Sequence, residues 1–404
     1  SNMAALVPTR VDISKFAGQP ARTMMSEFHV NKFLEIREPL GIGGFGVVCA
    51  AIDKRNGAQV AVKKVMRATT RYGDSKRLLR EIRFLRQLQQ LYRHPNILQL
   101  YEVYDCCEGD LYLVTDLMST SLRHVIDTKP LTIPHVKFFA YQLFRALKFL
   151  HAVGLVHRDI KPANIIVNSN CDLKLCDFGL AQTNQGLARP EEHRTVYVTT
   201  RWYRAPEVLL EMQYGSAVDV WAAGCILAEL VSQEVLFKGK TPQEQLHLLL
   251  YALGHPGGPM MDRIAQQRPA ALPRVEKGLS ANSSLFKKLR KGSSYTFNSG
   301  ISWKKYPWKT IAQKLPKGDL SYMHLLERVL VLDDASRFTA AETLRAPFFS
   351  DLHCEEEEPV FQGRVNIDWE VPTMEHAIIK QQLLRETTHV DACEDHGHAM
   401  TPPT

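Results

Sequence analysis

The stretch His157-Arg158-Asp159-Ile160-Lys161-Pro162-Ala163-Asn164, followed 18 residues after Asp159 by Asp177-Phe178-Gly179, decides how this chain is read. Its polar residues crowd between two apolar runs, Phe149 to Val156 and Ile165 to Val167, which predicts a loop at a domain cleft. Asp177 ends another short apolar strand, Leu173 to Cys176. Two carboxylates and one amide at this spacing suit one base and two metal ligands. Phosphoryl transfer requires such a set, because that reaction is mostly positioning and stabilisation of charge.

Toward the N-terminus, Gly41-Ile42-Gly43-Gly44-Phe45-Gly46-Val47-Val48 fits the pattern G-x-G-x-x-G-x-V. Glycine lets a backbone approach phosphates where a Cβ would obstruct it. Alone, the pattern suits a dinucleotide site or a plain glycine hairpin equally well. A dinucleotide fold wants a helix directly after the last glycine, whereas Val47-Val48-Cys49 continues as strand. Val60-Ala61-Val62-Lys63 then places a lysine on a mostly buried strand. That lysine is either a side chain snorkelling from an edge or a cation held against phosphates by a carboxylate. Glu81, in Leu79-Arg80-Glu81-Ile82, is the candidate carboxylate, although by itself it reads as a solvated charge. The five elements together, in this order, leave little room for coincidence.

The surrounding pattern supports two regions. Phe33 to Ile36, Phe45 to Cys49 and Gln59 to Val62 read as strands, with Arg55-Asn56-Gly57 as a turn. Apolar residues at 78, 79, 82, 85 and 88 give Ser75 to Leu91 helical spacing. Leu98 to Tyr104 and Leu111 to Thr115 return to strand. After Met118, Ile133 to Ala152, Ala217 to Ser232 and Asp319 to Leu332 are amphipathic helices. Residues 255 to 305, rich in Gly, Pro and Ser, read as a loop-rich insertion, and residues 391 to 404 as a loose tail.

Composition narrows the class further. The chain has 404 residues, 45% hydrophobic and 23% charged, which is ordinary globular usage. Its longest nearly apolar run, Val220 to Val231, has 12 residues and contains Glu229, too short for a membrane span of about 20. Residues 1 to 30 lack the apolar core and cleavage site of a secretory signal, and Ser1-Asn2 ahead of Met3 reads as a tag-cleavage scar. Eight cysteines without a C-x-x-C pair argue against a disulfide framework and a structural zinc site, so a reducing compartment is expected. Residues 255 to 305 carry +8 and the remaining chain −1, so the net charge of +7 does not indicate nucleic-acid binding by the whole protein.

These motifs together resemble the eukaryotic protein kinases, specifically the mitogen-activated protein kinases. Thr195-Val196-Tyr197-Val198-Thr199-Thr200-Arg201-Trp202-Tyr203-Arg204-Ala205-Pro206-Glu207 matches that family's T-x-Y-V-x-T-R-W-Y-R-A-P-E stretch. Asp219-Val220-Trp221 through Glu229 and Tyr306-Pro307-Trp308 are similar as well, and the likeness runs from about Phe28 to Val390. It implies a bilobal α+β kinase fold: an N-terminal extension (1–27), a mostly β N-lobe with one key helix (28–117), a mostly α C-lobe with the 255–305 insertion (118–352), and a docking segment with a C-terminal extension that folds back on the N-lobe (353–390).

The resemblance also assigns roles. Gly41, Gly43 and Gly46 would cover the phosphates of ATP, with Leu40, Val48 and Ala61 above the adenine and Ile166 below it. Lys63 would contact the α- and β-phosphates and pair with Glu81. Thr115 matches the gatekeeper position, and Asp116 and Met118 would offer backbone groups to the adenine edge. Asp159 would take the substrate hydroxyl proton, Lys161 would neutralise the γ-phosphate, and Asn164 and Asp177 would hold Mg²⁺. Phosphates on Thr195 and Tyr197 would be met by Arg77, Arg80 and Arg158, and by Arg201 and Arg204. Glu207 would pair with Arg337. Cys176 matches a position where relatives carry a reactive thiol, with a plain buried cysteine as the other reading. The implied activity is a proline-directed serine/threonine kinase, switched on by an upstream dual-specificity kinase; the alternative is a kinase-like docking scaffold. The implied partners are proteins with Ser/Thr-Pro sites and basic-hydrophobic docking peptides, with no nucleic acid and no membrane. A monomer in the cytoplasm, with the nucleus as a second address, is expected.

Three departures stand out. Val196 occupies the position where better-known branches carry Glu, Pro or Gly. Gln182 stands where Arg is usual, which removes one cation for the Thr195 phosphate. In Glu355-Glu356-Glu357-Glu358, Glu357 matches one docking acid but Cys354 replaces the other, leaving Glu355 and Glu358 as substitutes. The run reads as a docking surface or as a solvated face.

Overall fold

The computed structural model describes residues 6–14, 25–43, 46–105, 109–183, 200–279, 311, 313–315, 320–358, 361, 363–370 and 374–389. The chain divides into two units, one comprising residues 1–89, 98–119 and 368–404 and the other residues 90–97 and 120–367.

The first unit is built on a sheet. Strands β1 (Leu6–Asp12) and β2 (Met25–Asn31) form an antiparallel hairpin. β3 (Leu34–Gly43), β4 (Gly46–Asp53) and β5 (Ala58–Val65) follow as a meander. Helix α1 (Tyr72–Leu91) precedes β6 (Leu100–Asp105) and β7 (Leu111–Asp116). The turn between β4 and β5 is the expected one: Gly57 takes φ +74° and donates to the Asp53 carbonyl at 2.7 Å. In the sheet, β7 lies between β5 and β6, and a short C-terminal strand, Thr388–His389, adds in parallel to β6.

Alternation along these strands sorts the sheet into two faces. Val47, Cys49, Ala51, Val60, Val62, Tyr112 and Val114 share one core with Val11, Ile13, Phe28 and Val30 of the N-terminal hairpin. The extension that the sequence left without structure therefore caps one face of the sheet. On the other face, direct cross-strand pairs set Val48 beside Lys63 and Ala61 beside Thr115. Alternation makes the cap and the candidate site opposite sides of one sheet.

The second unit is mainly helical. A small sheet joins β8 (Thr120–Ser121), β10 (Ile165–Val167) and β11 (Leu173–Leu175), while β9 (Leu155–Val156) pairs with β12 (Gln182–Thr183). Helix α2 (Leu122–Thr128) starts at the Ser121 cap. Helices α3 (Ile133–Ala152) and α4 (Ala217–Ser232) have the bounds their apolar spacing predicts. Every residue of α4 after Ala217 is buried, so it is an internal helix with neighbours on all sides. At Gly224 a Cβ would come within 2.8 Å of Val329, which is why this helix carries glycine at its middle.

Residues 258–279 depart from the expected loop. They form α6 (Gly258–Gln267) and α7 (Leu272–Leu279), after α5 (Pro242–Leu253). Met260 and Ile264 on α6, and Val275 on α7, turn inward at helical spacing that the glycine- and proline-rich composition concealed. The rest of the basic insertion, together with Tyr306-Pro307-Trp308 and the tail after 389, lies outside the described residues. No helix among the described residues is long and apolar enough to cross a membrane.

A buried ion pair braces this unit. Arg337 donates to Glu207 from Nη1 at 2.7 Å and from Nη2 at 3.1 Å, and both side chains are fully buried. Its remaining donors reach the Val331 and Ala217 carbonyls, and its guanidinium lies 5.0 Å from the Trp221 ring centre. Removing one partner of such a pair leaves a charge stranded in the core. Arg337→Met is expected to cost about 3–5 kcal/mol, and adding Glu207→Leu to recover most of that loss. Urea unfolding followed by tryptophan fluorescence measures both; equal stability of Arg337→Met and the parent would refute the assignment.

Candidate active site

In the first unit, β3 and β4 carry the glycine turn, and Gly43 faces Gly46 across it. Gly44 and Phe45 at its tip lie outside the described residues. Gly46 adopts φ +146°, and a Cβ there would sit 1.7 Å from the Lys64 carbonyl oxygen. Close approach of β4 to β5 therefore demands glycine at this position before any ligand is considered. At Gly41 an added Cβ would meet no protein atom within 4 Å, so packing makes no such demand.

Lys63 donates from Nζ to both carboxylate oxygens of Glu81, each at 2.9 Å. Glu81 is buried on α1, and Lys63 is about one quarter exposed. Thr115 is buried on β7 next to Ala61, while Asp116 uses its carboxylate to accept from the Gln99 amide at 2.8 Å and the Tyr101 hydroxyl at 2.6 Å. The Asp116 side chain thereby fixes its own backbone at the end of the strand.

Helix α1 is held from its other side by the C-terminal segment. Arg80 is buried against Glu370; Arg83 and Arg86 both reach Glu386. Phe84 packs edge-on to Trp369 at 5.7 Å, and the Arg83 guanidinium lies 4.8 Å from the same ring. Arg80, expected to meet a phosphate, thus has a carboxylate partner of its own. Arg77 keeps a buried Nε with no hydrogen-bond partner among the described residues.

In the second unit, the loop from His157 to Asn164 hangs from one carboxylate. Asp219, on α4, accepts from the amides of His157 and Arg158, each at 2.8 Å, and lies 3.1 Å from His151 Nε2. Burial works to raise its pKa, yet the contacts to His151 and His157 outweigh it and hold the carboxyl below its usual value. Arg158 sits at φ 69° and Asp177 at φ 64°, left-handed conformations that cost of order 1–3 kcal/mol each in a residue with a Cβ. The Asp219 bonds offset that strain at Arg158.

Three of the predicted residues converge here. Asp159 Oδ2 accepts from Lys161 Nζ at 2.7 Å and from Asn164 Nδ2 at 2.8 Å, and Nδ2 also donates to the Asp159 carbonyl. The Cys176 amide and thiol both donate to the Asn164 carbonyl, which ties Asp177 to the same loop through its neighbour. Cys176 is partly buried in that contact. Phe178 is buried against His157, with ring centres 4.9 Å apart. Among the described residues no cluster of three His, Cys, Asp or Glu exists that could hold a metal alone. An amide oxygen and one carboxylate suit Mg²⁺, which usually completes its octahedron with phosphate oxygens and water. Ile166 lies on β10, between β8 and β11.

The remaining predicted residues are placed unevenly. Thr195 and Tyr197 lie outside the described residues. Arg201 donates to the Lys240 carbonyl at 2.8 Å. Arg204 lines a cavity with Arg158, Asp159 and Tyr203. Gln182 is not the empty position expected from its missing charge. It is buried on β12, where its Oε1 accepts from Arg158 Nη1, and the Arg158 guanidinium stands 5.7 Å from the Tyr214 ring centre.

The acid run also needs correction. Glu355 and Glu356 are exposed, and Glu355 lies 3.4 Å from Arg345. Glu358 is buried, and its carboxylate meets the Tyr141 hydroxyl at 2.8 Å, Lys148 Nζ at 3.0 Å and His353 Nδ1 at 2.9 Å. Its charge is spent inside the unit and is not offered on the surface. Burial pushes its pKa up, but the His353, Lys148 and Tyr141 contacts outweigh this and lower it. Sequence reasoning also gave no role to Asp219, although an acid opening an otherwise apolar helix was a signal for one.

Comparison with known proteins agrees with this geometry. Residues 34–349 match the protein kinase domain. The chain is 36% identical to mitogen-activated protein kinase mpkC of Aspergillus niger over 362 residues, covering 89% of this chain and 81% of that protein. It is 36% identical to mitogen-activated protein kinase 4 of Arabidopsis thaliana (88% and 87% covered). It is 34% identical to mitogen-activated protein kinase HOG1A of Wallemia ichthyophaga (91% of each). With a kinase domain over most of its length and relatives 34–36% identical across about nine tenths of it, this chain belongs to the mitogen-activated protein kinase family of serine/threonine kinases.

Proposed function

We propose that this kinase transfers the γ-phosphate of Mg-ATP to serine or threonine followed by proline, and that phosphorylation of Thr195 and Tyr197 switches it on. The observation that carries the transfer chemistry is the contact of Asp159 with Lys161 at 2.7 Å and Asn164 at 2.8 Å. Asp159 accepts the proton of the attacking hydroxyl. Lys161, already beside that carboxylate, balances charge on the transferred group, and Lys63 with Glu81 does so at the α- and β-phosphates. Asn164 and Asp177 would hold Mg²⁺, which would neutralise charge on the phosphates. Gly41, Gly43, Val48, Ala61 and Thr115 share strands and a sheet face suited to the nucleotide, with Leu40, Asp116 and Met118 in the same unit; Ile166, in the second unit, is assigned to the adenine by family resemblance.

Proline direction is supported by the Arg201 to Arg204 stretch, which in relatives shapes the pocket after the phosphoacceptor. The switch is supported by the arginines at 158, 201 and 204 and by the T-x-Y sequence, with Arg77 and Arg80 on α1 as further candidates. Docking of basic-hydrophobic peptides, narrowed by the burial of Glu358, falls to Glu355, Glu356 and Glu357. An upstream dual-specificity kinase and a cytoplasmic or nuclear address belong to the same reading.

Asp159→Asn keeps the shape of the site but removes its base. Turnover of a generic basic protein substrate should fall by about 10² to 10⁴, the range for a positioned acid–base group, while the thermal transition and ATP binding stay near the parent. Turnover at the parental rate, at matched phosphorylation state, would discard the mechanism.

Gln182→Arg tests the switch. The unmodified variant loses the acceptor that holds Arg158 and gains a second guanidinium beside it, so its resting turnover should drop. The doubly phosphorylated form gains one charge-assisted bond, worth roughly 1.5–3 kcal/mol, so its active fraction should rise. Turnover of forms verified by mass spectrometry reads both directions; full activity in the unmodified parent would exclude the switch.

The acids separate by the same logic. Replacing Glu355, Glu356 and Glu357 by glutamine should weaken a basic docking peptide, most visibly at low salt, and leave stability unchanged. Glu358→Ala should instead cost roughly 1.5–3 kcal/mol of stability. That contribution is present above the unfolded carboxyl pKa and lost as pH falls through the lowered folded value. Urea midpoints between pH 7 and pH 3 measure it, and the difference between parent and variant should shrink toward acid.

A further inference from the structure

Strand β6 carries one residue too many for its partner. Leu100 stands opposite Thr115 on β7 and Glu102 opposite Val114, so Tyr101 is the extra residue of a β-bulge. A bulge bends its strand and re-aims the side chains beside it. Here it leaves two successive side chains, Tyr101 and Glu102, outside the core between buried Leu100 and Val103. Glu102 meets Arg55 Nη2 at 2.6 Å. Tyr101, about half exposed, donates its hydroxyl to Asp116 Oδ1 at 2.6 Å.

The bulge is held on both flanks. Gln89 of α1 donates to the Leu100 carbonyl at 3.1 Å. On the other flank the Gln99 amide donates to Asp116 Oδ2 at 2.8 Å, and the Gln99 carbonyl accepts from the Asp116 amide at 3.3 Å. Both oxygens of the Asp116 carboxylate are thus engaged, one by a backbone amide and one by a phenol. Asp116 is the last residue of β7, and the chain leaves the sheet immediately after it. Held by Gln99 alone, the carboxylate could swing about that single contact and its backbone with it. The Tyr101 hydroxyl removes that freedom. With half of its surface in water, Tyr101 gains less from burial than a core aromatic does, which leaves the hydroxyl as the feature that a tyrosine adds at this position.

We propose that Tyr101 is a positioning residue for the adenine base: its hydroxyl, aimed by the bulge, locks the Asp116 carboxylate and thereby sets the direction of the backbone groups that Asp116 and Met118 offer to the base. It acts through Asp116 and touches no reacting atom. A strand end fixed beforehand spares the ligand the cost of ordering it on binding. The inference rests on the nucleotide reading given above and names a residue that tunes it.

The test compares the full-length parent with Tyr101→Phe, Asp116→Ala and the Tyr101→Phe/Asp116→Ala double variant, with dissociation constants for Mg-ATP and for adenosine measured by isothermal titration calorimetry. Tyr101→Phe should weaken both ligands by the same factor, about three- to tenfold, less than the full worth of a hydrogen bond to a charged group because the site is open to water. Its thermal midpoint without ligand should stay near the parent's, as should its KM for a basic protein substrate at matched phosphorylation state; a merely structural role would move them. In the Asp116→Ala background the same substitution should change either constant by less than about twofold, since the acceptor is gone. The inference is overturned by parental adenosine affinity in Tyr101→Phe, by a loss confined to Mg-ATP, or by an undiminished effect in the Asp116→Ala background. Should Asp116→Ala fail to fold, the comparison of the two ligands in Tyr101→Phe, which conserves the ring, decides alone. A parent that binds neither ligand would sink the nucleotide reading and this inference together, whereas parental binding with an unaltered Tyr101→Phe would sink this inference only.

Discussion

The second unit depends on one carboxylate accepting from three nitrogens. Asp219 lies inside the unit, and its hydrogen bonds to the His157 and Arg158 amides and to His151 hold a loop whose regular structure is a single 3-10 turn, Pro162–Asn164. Without that acceptor, the buried His157 amide and the part-buried Arg158 amide would lack partners and the left-handed Arg158 would relax. The Asp159–Lys161–Asn164 contacts are then possible because the residues before them are already fixed. Helix α4 reaches this loop through its first turn and the 200–205 segment through Glu229 near its other end. A fully buried helix is a stiff support, since any rotation would have to displace neighbours on every side.

The first unit solves a comparable problem with opposite charges. Helix α1 must present Glu81 to Lys63, yet its neighbouring arginines would repel one another if left alone. Glu370 and Glu386, from far along the chain, absorb those charges, while Trp369 supplies the apolar contact. The cap of β1 and β2 on the other sheet face completes the unit, which therefore draws its material from three separated stretches of sequence.

Legibility followed locality. The bounds of α3 and α4 were readable because their apolar spacing is strong and uninterrupted, and Lys63, Glu81, Asp159 and Asn164 were readable because each sits in a motif of fixed spacing. The N-terminal hairpin was not readable, since β1 and β2 pair across the 12 residues 13–24, far longer than the two to five residues of an ordinary hairpin loop. Helices α6 and α7 were concealed by glycine and proline placed at their ends and caps, where those residues do not break a helix. The error over Glu358 has a different origin: four identical acids look equivalent in sequence, and only the positions of Tyr141, Lys148 and His353 single one out. Gln182 was read by what it lacked, because its acceptor role exists only through the pairing of β12 with β9.

The bond between Arg80 and Glu370 spans 290 residues. At a ribosomal rate of about 5–20 residues per second, Arg80 leaves the peptidyl-transferase centre roughly 15–60 s before its partner exists. During that interval the nascent chain carries a helix rich in arginine with no acid to meet it and a β6 edge that awaits its parallel strand. Unpaired strand edges, and apolar surface such as that awaiting Trp369, are what make nascent chains aggregation-prone and dependent on chaperones. A stop codon ahead of residue 369 would thus leave an aggregation-prone first unit for quality control to remove, although every motif of the transfer chemistry had already been translated.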